Sequence, residues 1–290
     1  MRLSAARWMP DPWITVFLVA TGGAVLLALW FSALYGLGLI GTPSRGLTLV
    51  HWQAMLTDRG FWIALGFSLA LTFATLGLCL VSALAAVLLL AEQLHRPPLG
   101  ILIYLPLAVP GVVAALISYQ VLGDGGLLAR IAHSLGWISQ PSEFPSLVFD
   151  RHGLGIVLTH WAMVTPFFVI LLDRLMDHER IPAFRQLAQA LGASEWAALR
   201  RVILPLLSRG ALPLCTVYGA VLMAAFEVPL LIGARFPNMI SVEINERIGQ
   251  FDLALRPQGF VMATLYLVIL SAAWWLGGRC WWRPARGPGQ

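Results

Sequence analysis

Glu227 carries the most chemical consequence in this sequence of 290 residues. It is a carboxylate inside an otherwise uncharged, apolar stretch that runs from 210 to 234. An ionisable group there is costly to bury. It persists where it meets a solute or ion, or where it binds freed backbone groups or an arginine across an interface. Pro229 lies two residues on and removes a helical hydrogen bond, and Gly233 loosens the ladder further. The expectation is an unwound segment lining a cavity, with Glu227 and Pro229 on a path that favours a cationic solute. Tyr119 and Gln120 in one apolar stretch are weaker candidates, as are His160, Trp161 and Thr165 just ahead of Pro166 in another. Each faces either the same path or a neighbouring helix, the commoner role for polar side chains between packed helices.

The chemistry that is missing narrows the field. All 19 basic residues other than histidine are arginine, so the chain has no lysine for a P-loop or a Schiff base. Any ATP used must be bound by another chain. The three cysteines form no CxxC, and the six histidines show no HExxH or other ligand spacing, so neither a disulfide framework nor a metal site is expected. GFSLA at 66–70 fails the last position of GxSxG, and no pair of aspartates falls inside an apolar stretch. No catalytic residue is assigned, and a membrane-embedded enzyme is set aside.

These residues sit in a chain that water cannot dissolve. Hydrophobic residues make up 59% and charged ones only 11%, with a mean hydropathy of +0.79. A soluble fold of this length cannot hide that much apolar surface. Charges divide the chain into six long uncharged stretches: 12–44, 60–91, 97–123, 152–172, 210–234 (Glu227 apart) and 257–278. Each is long enough for a membrane-spanning helix, which needs about 20 residues. The first is too long for a signal peptide and is read as retained. The expected fold is an all-α integral membrane protein of six transmembrane helices. An even number puts both termini on one side. With the N-terminus inside, the inner segments carry 12 arginines and the outer loops seven, so both termini are expected in the cytoplasm. The net charge of +5 is thereby explained by topology, and no nucleic-acid partner is expected. Trp13, Trp62, Trp281 and Trp282 lie near span ends, where interfacial belts form. No internal repeat of the secondary-transporter kind is visible.

The inner loop from Asp173 to Arg209 is the most charged part of the chain, and it has its own punctuation. Pro182 suits a first helical turn, and Ala183 to Leu191 are good helix formers. Gly192 is a natural C-terminal cap, Ser194 caps a second helix, and Glu195 favours that helix's positive end. Pro205 marks where this helix meets the next span. Small residues at Ala188 and Gly192 let another protein approach closely.

This loop resembles the cytoplasmic signature of permease subunits of binding-protein-dependent ABC importers. The family pattern is E-A-A, three residues, G, nine residues, then I-x-L-P. Gln186, Leu187 and Ala188 stand at the first three positions, Gly192 at the glycine, and Val202, Leu204 and Pro205 at I, L and P. Gln186, Leu187 and Val202 depart from the pattern, and Gln186 removes its charge. The run FWIALGFSLALTFATLGLCL, at 61–80, is similar to the start of the family core, and FEVPLLIGA, at 226–234, to polyamine-, sulfate- and thiamine-type permeases. The resemblance implies a MetI-like permease fold: one N-terminal helix and periplasmic loop (1–59), a five-helix core (60–278) and a cytoplasmic tail (279–290). It implies a bacterial inner-membrane location and a pair of permease subunits, identical or homologous. It also implies two ATPase subunits inside, which bind the ATP and magnesium, and a periplasmic solute-binding protein outside. The 182–205 loop would supply the coupling helix, and a polyamine-like cation would be the favoured solute, with sulfate, thiamine, iron and sugars left open. The alternative is an autonomous channel or secondary transporter with Glu227 as its ion or solute site.

Overall fold

The computed structural model describes residues 12–41 and 46–281, and every regular element among them is helical. In chain order these are α1 (Pro12–Gly36), α2 (Val50–Thr57), α3 (Arg59–Leu89), α4 (Ala91–Leu94), α5 (Pro97–Leu102), α6 (Gly111–Leu122) and α7 (Leu127–Ser134). They continue with α8 (Leu154–His178), α9 (Ile181–Ala190), α10 (Glu195–Ala198), α11 (Leu204–Met223), α12 (Glu227–Ile232), α13 (Ile240–Gly249) and α14 (Arg256–Trp281). Among the described residues, five helical segments are long and apolar enough to cross a membrane: Pro12–Gly36, Arg59–Leu89, Gly111–Ser134, Leu154–His178 and Glu195–Met223. The sixth expected span is helical as α14. Arg2, Arg7, Arg45, Trp282 and the tail beyond Trp281 lie outside the described residues.

Two stretches depart from continuous spans. The third, expected over 97–123, is cut into α5, a 3-10 turn at Leu105–Ala108, and α6. Pro106 and Pro110 explain the cuts, since neither has an N–H to continue a ladder. The fifth begins in the inner loop, as α11 from Leu204, and breaks at 224–226 before α12.

The chain forms two units, Met1–Phe61 with Ile244–Gln290, and Trp62–Glu243. In the first, α1 lies against α14. Buried Ser32 donates to the Phe260 carbonyl at 2.8 Å, and its hydroxyl meets that of Thr264 at 3.0 Å. The Phe260 ring packs on Tyr35 and Phe31, with centroids 4.2 and 5.9 Å apart. Arg247 pairs with Asp58, both largely buried. Gly36 permits the close approach of the two helices, because a Cβ there would lie 2.5 Å from Val261 Cγ2. Valine is stiff at χ1 and gives little ground. Gly36→Ala is therefore expected to destabilise this pairing by about 1–3 kcal/mol. Thermal unfolding in detergent checks it: an unchanged midpoint would show the approach to be looser than it is drawn.

In the second unit, α3, α8 and α11 close on a core of Cys79, Ala83, Val164, Phe168, Leu207 and Ala211. A second cluster joins α3, α6, α8 and α12 through Leu71, Ala115, Ile156, Val228 and Ile232. Ala83, Ala211 and Ala115 at these contacts bring helix backbones together, which is how association proceeds where lipid already matches apolar side chains. Elsewhere the outward residues stay apolar. Phe73, Val81 and Val113 are all exposed, which suits a lipid surround.

Candidate functional site

The break in the fifth stretch is where the candidate path residue stands. Phe226 has left the helical region (φ −122°, ψ −48°), and Glu227 opens α12. Pro229 is not the breaking residue that its position suggests. It sits third in α12 and is buried, where a first-turn N–H has no intrahelical partner and proline costs nothing. The break precedes it, and its freed carbonyls are met. Ser241 Oγ donates to the Ala225 carbonyl, and Leu230 N–H to that of Phe226 at 3.0 Å. Gly233 ends α12 in an extended conformation.

This irregular backbone borders a cavity of about 610 Å³ between the 3-10 turn at Leu105–Ala108, α8 and the end of α11. Glu227, His160, Met163, Tyr218 and Phe226 line it. Glu227 is exposed to it, and its carboxylate lies so near Gly111 that a Cβ there would collide with Oε2. His160 is buried, and its Nδ1–H donates to the Ile156 carbonyl at 2.9 Å. Non-helical backbone at membrane depth is tolerated only where it is covered by protein or lines such a space.

Of the weaker candidates His160 joins Glu227 here, and the others do not. Trp161 turns into the packing of α8 on α3, where Nε1 donates to Ser82 Oγ at 2.9 Å. Thr165 lies beside the Cys79 thiol in the same packing. Tyr119 and Gln120 line a separate cavity of about 490 Å³ at the α6 C-terminus, where Tyr119 packs edge-on against Phe149 with centroids 6.0 Å apart. Of the seven candidates, Glu227 and His160 border the larger cavity, and Pro229, Tyr119, Gln120, Trp161 and Thr165 do not. Gly111 and Tyr218 border it too and carried no sequence signal, because neither charge nor helix punctuation marks them.

The inner loop folds as two helices with a sharp turn. Pro182 stands in the first turn of α9. Gly192 takes φ +85°, the left-handed conformation that glycine enters most cheaply, with open space where a side chain would begin. Ser194 Oγ accepts from Ala197 N–H at 3.3 Å, capping α10. Arg185 donates to Glu195 Oε2 through Nε at 3.0 Å and Nη2 at 2.7 Å, and Gln189 donates to Oε1. Gln186 shares a cavity of about 370 Å³ with these three. Phe184, Leu187, Leu191 and Trp196 are exposed apolar residues on this loop, Leu191 at 81%. Ala188 is half-buried.

Beyond α10 the helix does not stop. A π-helical stretch, Leu199–Ile203, holds Val202 and leads into Leu204 and Pro205 at the head of α11. Leu204 N–H donates to the Leu199 carbonyl five residues back. This register absorbs Pro205, which has no N–H of its own. Glu195–Met223 is thus one helical rod of 29 residues, about 43 Å at 1.5 Å per residue. It runs from the exposed loop to the cavity at the break.

The inner membrane ABC transporter permease protein YnjC of Escherichia coli is 26% identical over 246 residues, covering 84% of this chain and 45% of that protein. A probable molybdenum ABC transporter permease of Haloferax volcanii is 26% identical over 242 residues, covering 82% and 80%. The trehalose transport system permease protein SugA of Mycobacterium tuberculosis is 29% identical over 205 residues, covering 68% and 62%. The fold matches a chain of a bacterial ABC transporter involved in import of the acidic polysaccharide alginate, with a TM-score of 0.66, 17% identity and coverage of 95% and 94%. The chain is similar to ABC transporter permeases. The chain spans less than half the length of YnjC and most of the length of the molybdenum-named relative. YnjC is named for the inner membrane, and this chain has five described helical segments long and apolar enough to cross a membrane. No family model matches it. Further relatives are named for sulfate and thiamine transport. The polyamine expectation finds no support in these names, and a lone carboxylate was too slight a basis for it, since one charge marks a polar path without specifying what crosses.

Proposed function

We propose that this chain is the membrane-spanning subunit of an ATP-driven importer, with the solute path at the cavity beside Glu227 and the 182–205 loop as its contact with a separate ATPase. The observation that carries this is the rod from Glu195 to Met223. It joins an exposed apolar loop surface to the broken segment that borders the cavity along one continuous helical path, through the π-helical stretch at Leu199–Ile203 and past Pro213. In this reading Gln186, Leu187, Ala188, Gly192, Val202, Leu204 and Pro205 form the coupling element. Leu187 and Leu191 enter a groove on the ATPase, where their burial offsets what exposure costs them. Closure of two ATPase subunits on ATP and magnesium moves the loops. The cavity then opens to the side opposite the loop, where a solute-binding protein delivers its cargo. ATP shifts this equilibrium only by its different affinity for the two states.

The proposed assembly pairs this chain with a second permease, identical or homologous, which covers the open cavity. Both termini lie in the cytoplasm, 60–278 forms the core, and the chain contributes transport without bond chemistry. A relative of similar fold has been solved with an alginate pentasaccharide-bound periplasmic protein, with a TM-score of 0.63, which supports an importer arrangement. The test is purification of the tagged chain from native membranes, with its stoichiometric partners identified by mass spectrometry. A nucleotide-binding ATPase that is retained by the wild type and lost in Leu187→Asp/Leu191→Asp is the expected result. A chain that transports in reconstituted vesicles with no ATPase present would overturn the reading.

A further inference from the structure

A second cluster of chemical groups lies away from both cavity and loop surface. His95, in the turn between α4 and α5, meets Asp173 and Asp177 near the end of α8, and one nitrogen and two carboxylate oxygens fall within 4.8 Å of one another. We propose that these three side chains bind one first-row divalent cation, Zn²⁺ more tightly than Mn²⁺.

The imidazole is oriented for this. The Ala91 carbonyl, 2.7 Å from Nδ1, can only accept, so Nδ1 carries a proton and donates it there. In the neutral ring Nε2 then keeps its lone pair, and it points at Asp173 Oδ2. A backbone carbonyl that fixes the tautomer of a ligating histidine is the usual outer support of a metal site. The Nε2 to Oδ2 separation is 3.7 Å. That is too long for a hydrogen bond, yet close to the roughly 3–3.5 Å between neighbouring ligands bonded at 2.0–2.2 Å to one ion. Asp177 lies one helical turn from Asp173 and so shares its face of α8.

Space and charge agree with an ion. A cavity of about 180 Å³, lined by His95, Gly100, Tyr104 and Asp173, leaves room for water to complete the coordination. One imidazole with two carboxylates suits zinc and manganese, with zinc bound more tightly in the general order of affinities. Two carboxylates balance a dication, and Arg174 is the competing positive charge beside them. No spacing rule in the sequence joins His95 to Asp173; only the packing of the turn on α8 does. A bound ion would tie that turn to the end of α8, two residues before the loop that begins α9. The site is independent of the transport reading, and its failure leaves that reading intact.

The test uses the full-length chain in detergent, stripped with chelator and titrated with Mn²⁺ by electron paramagnetic resonance. One saturable Mn²⁺ per chain, displaced by Zn²⁺, is expected. His95→Ala and Asp173→Asn each weaken it at least tenfold, the scale seen even for outer-shell losses. Asp177→Asn, at an exposed position that does not bear on folding, weakens it as well, whereas Arg174→Gln tightens it. Binding that never saturates up to about 1 mM, the weak limit of purpose-built protein sites, would overturn the proposal. So would binding unchanged in the triple variant His95→Ala/Asp173→Asn/Asp177→Asn, which would assign the manganese to scattered surface carboxylates.

Discussion

Gly192→Arg is expected to leave the helices inserted in the membrane and to reduce solute uptake to background. Arginine at φ +85° costs about 1–2 kcal/mol of local backbone strain. That is too little to unfold a loop also held by the Arg185–Glu195 pair and the Ser194 cap. No atom of the chain lies within 4 Å of the added Cβ, so the fold itself accommodates the side chain. A docked partner cannot, because the charged chain projects beside Leu191, one of the two apolar residues proposed to enter it. Carbonate extraction, uptake and recovery of the ATPase on the tagged chain are measured together. Gly192→Ala carries the same strain without the bulk, and it is expected to keep most of the uptake. Equal loss in both variants would move the cause from docking to backbone strain. Full uptake by the arginine variant would remove the loop from the coupling role.

The second large effect is expected at Gly111. A side chain there meets the carboxylate of Glu227, the movable end of a flexible residue. Gly111→Val therefore displaces the carboxylate and narrows the cavity of about 610 Å³ while disturbing the core little. Uptake is expected to fall at least tenfold, equivalent to 1.4 kcal/mol in the transport step, with a thermal midpoint close to that of the wild type. Glu227→Gln separates charge from shape. It preserves the volume and removes the charge, so a solute drawn by the carboxylate loses uptake in both variants. A solute that only needs room loses it in Gly111→Val alone. A thermal midpoint that collapses in Glu227→Gln would make the carboxylate a structural group and take it off the path.

The loop was the most legible part of the chain. Pro182, Gly192 and Ser194 act within a turn of where they stand, through a missing N–H, a left-handed backbone and a capping hydroxyl. The limits of α9 and α10 follow from them. The broken third stretch was equally open to reading, for Pro106 and Pro110 stand inside it, but its uncharged length concealed them. Pro229 misled in the opposite direction. A proline marks a helix interior as broken or a first turn as begun, and the residue alone does not say which. The structure makes it a first turn, with the break at Ala225 and Phe226 held open by Ser241.

Composition determined the membrane setting, because 59% hydrophobic and 11% charged residues leave no other solvent in which the chain can fold. The spacing of charges determined where the apolar stretches lie, and local caps determined the two helices of the loop. Tertiary structure alone decided which polar residues share a space. Glu227 has Gly111 and His160 as its neighbours, while Trp161 and Thr165 are spent on helix packing. His95 finds Asp173 and Asp177 across the fold. The physical reason is range. Propensity, capping and hydropathy act over a few residues, whereas a cavity or a ligand set is made by helices that meet from distant parts of the chain, and their meeting is fixed by the packing of small and large side chains between them.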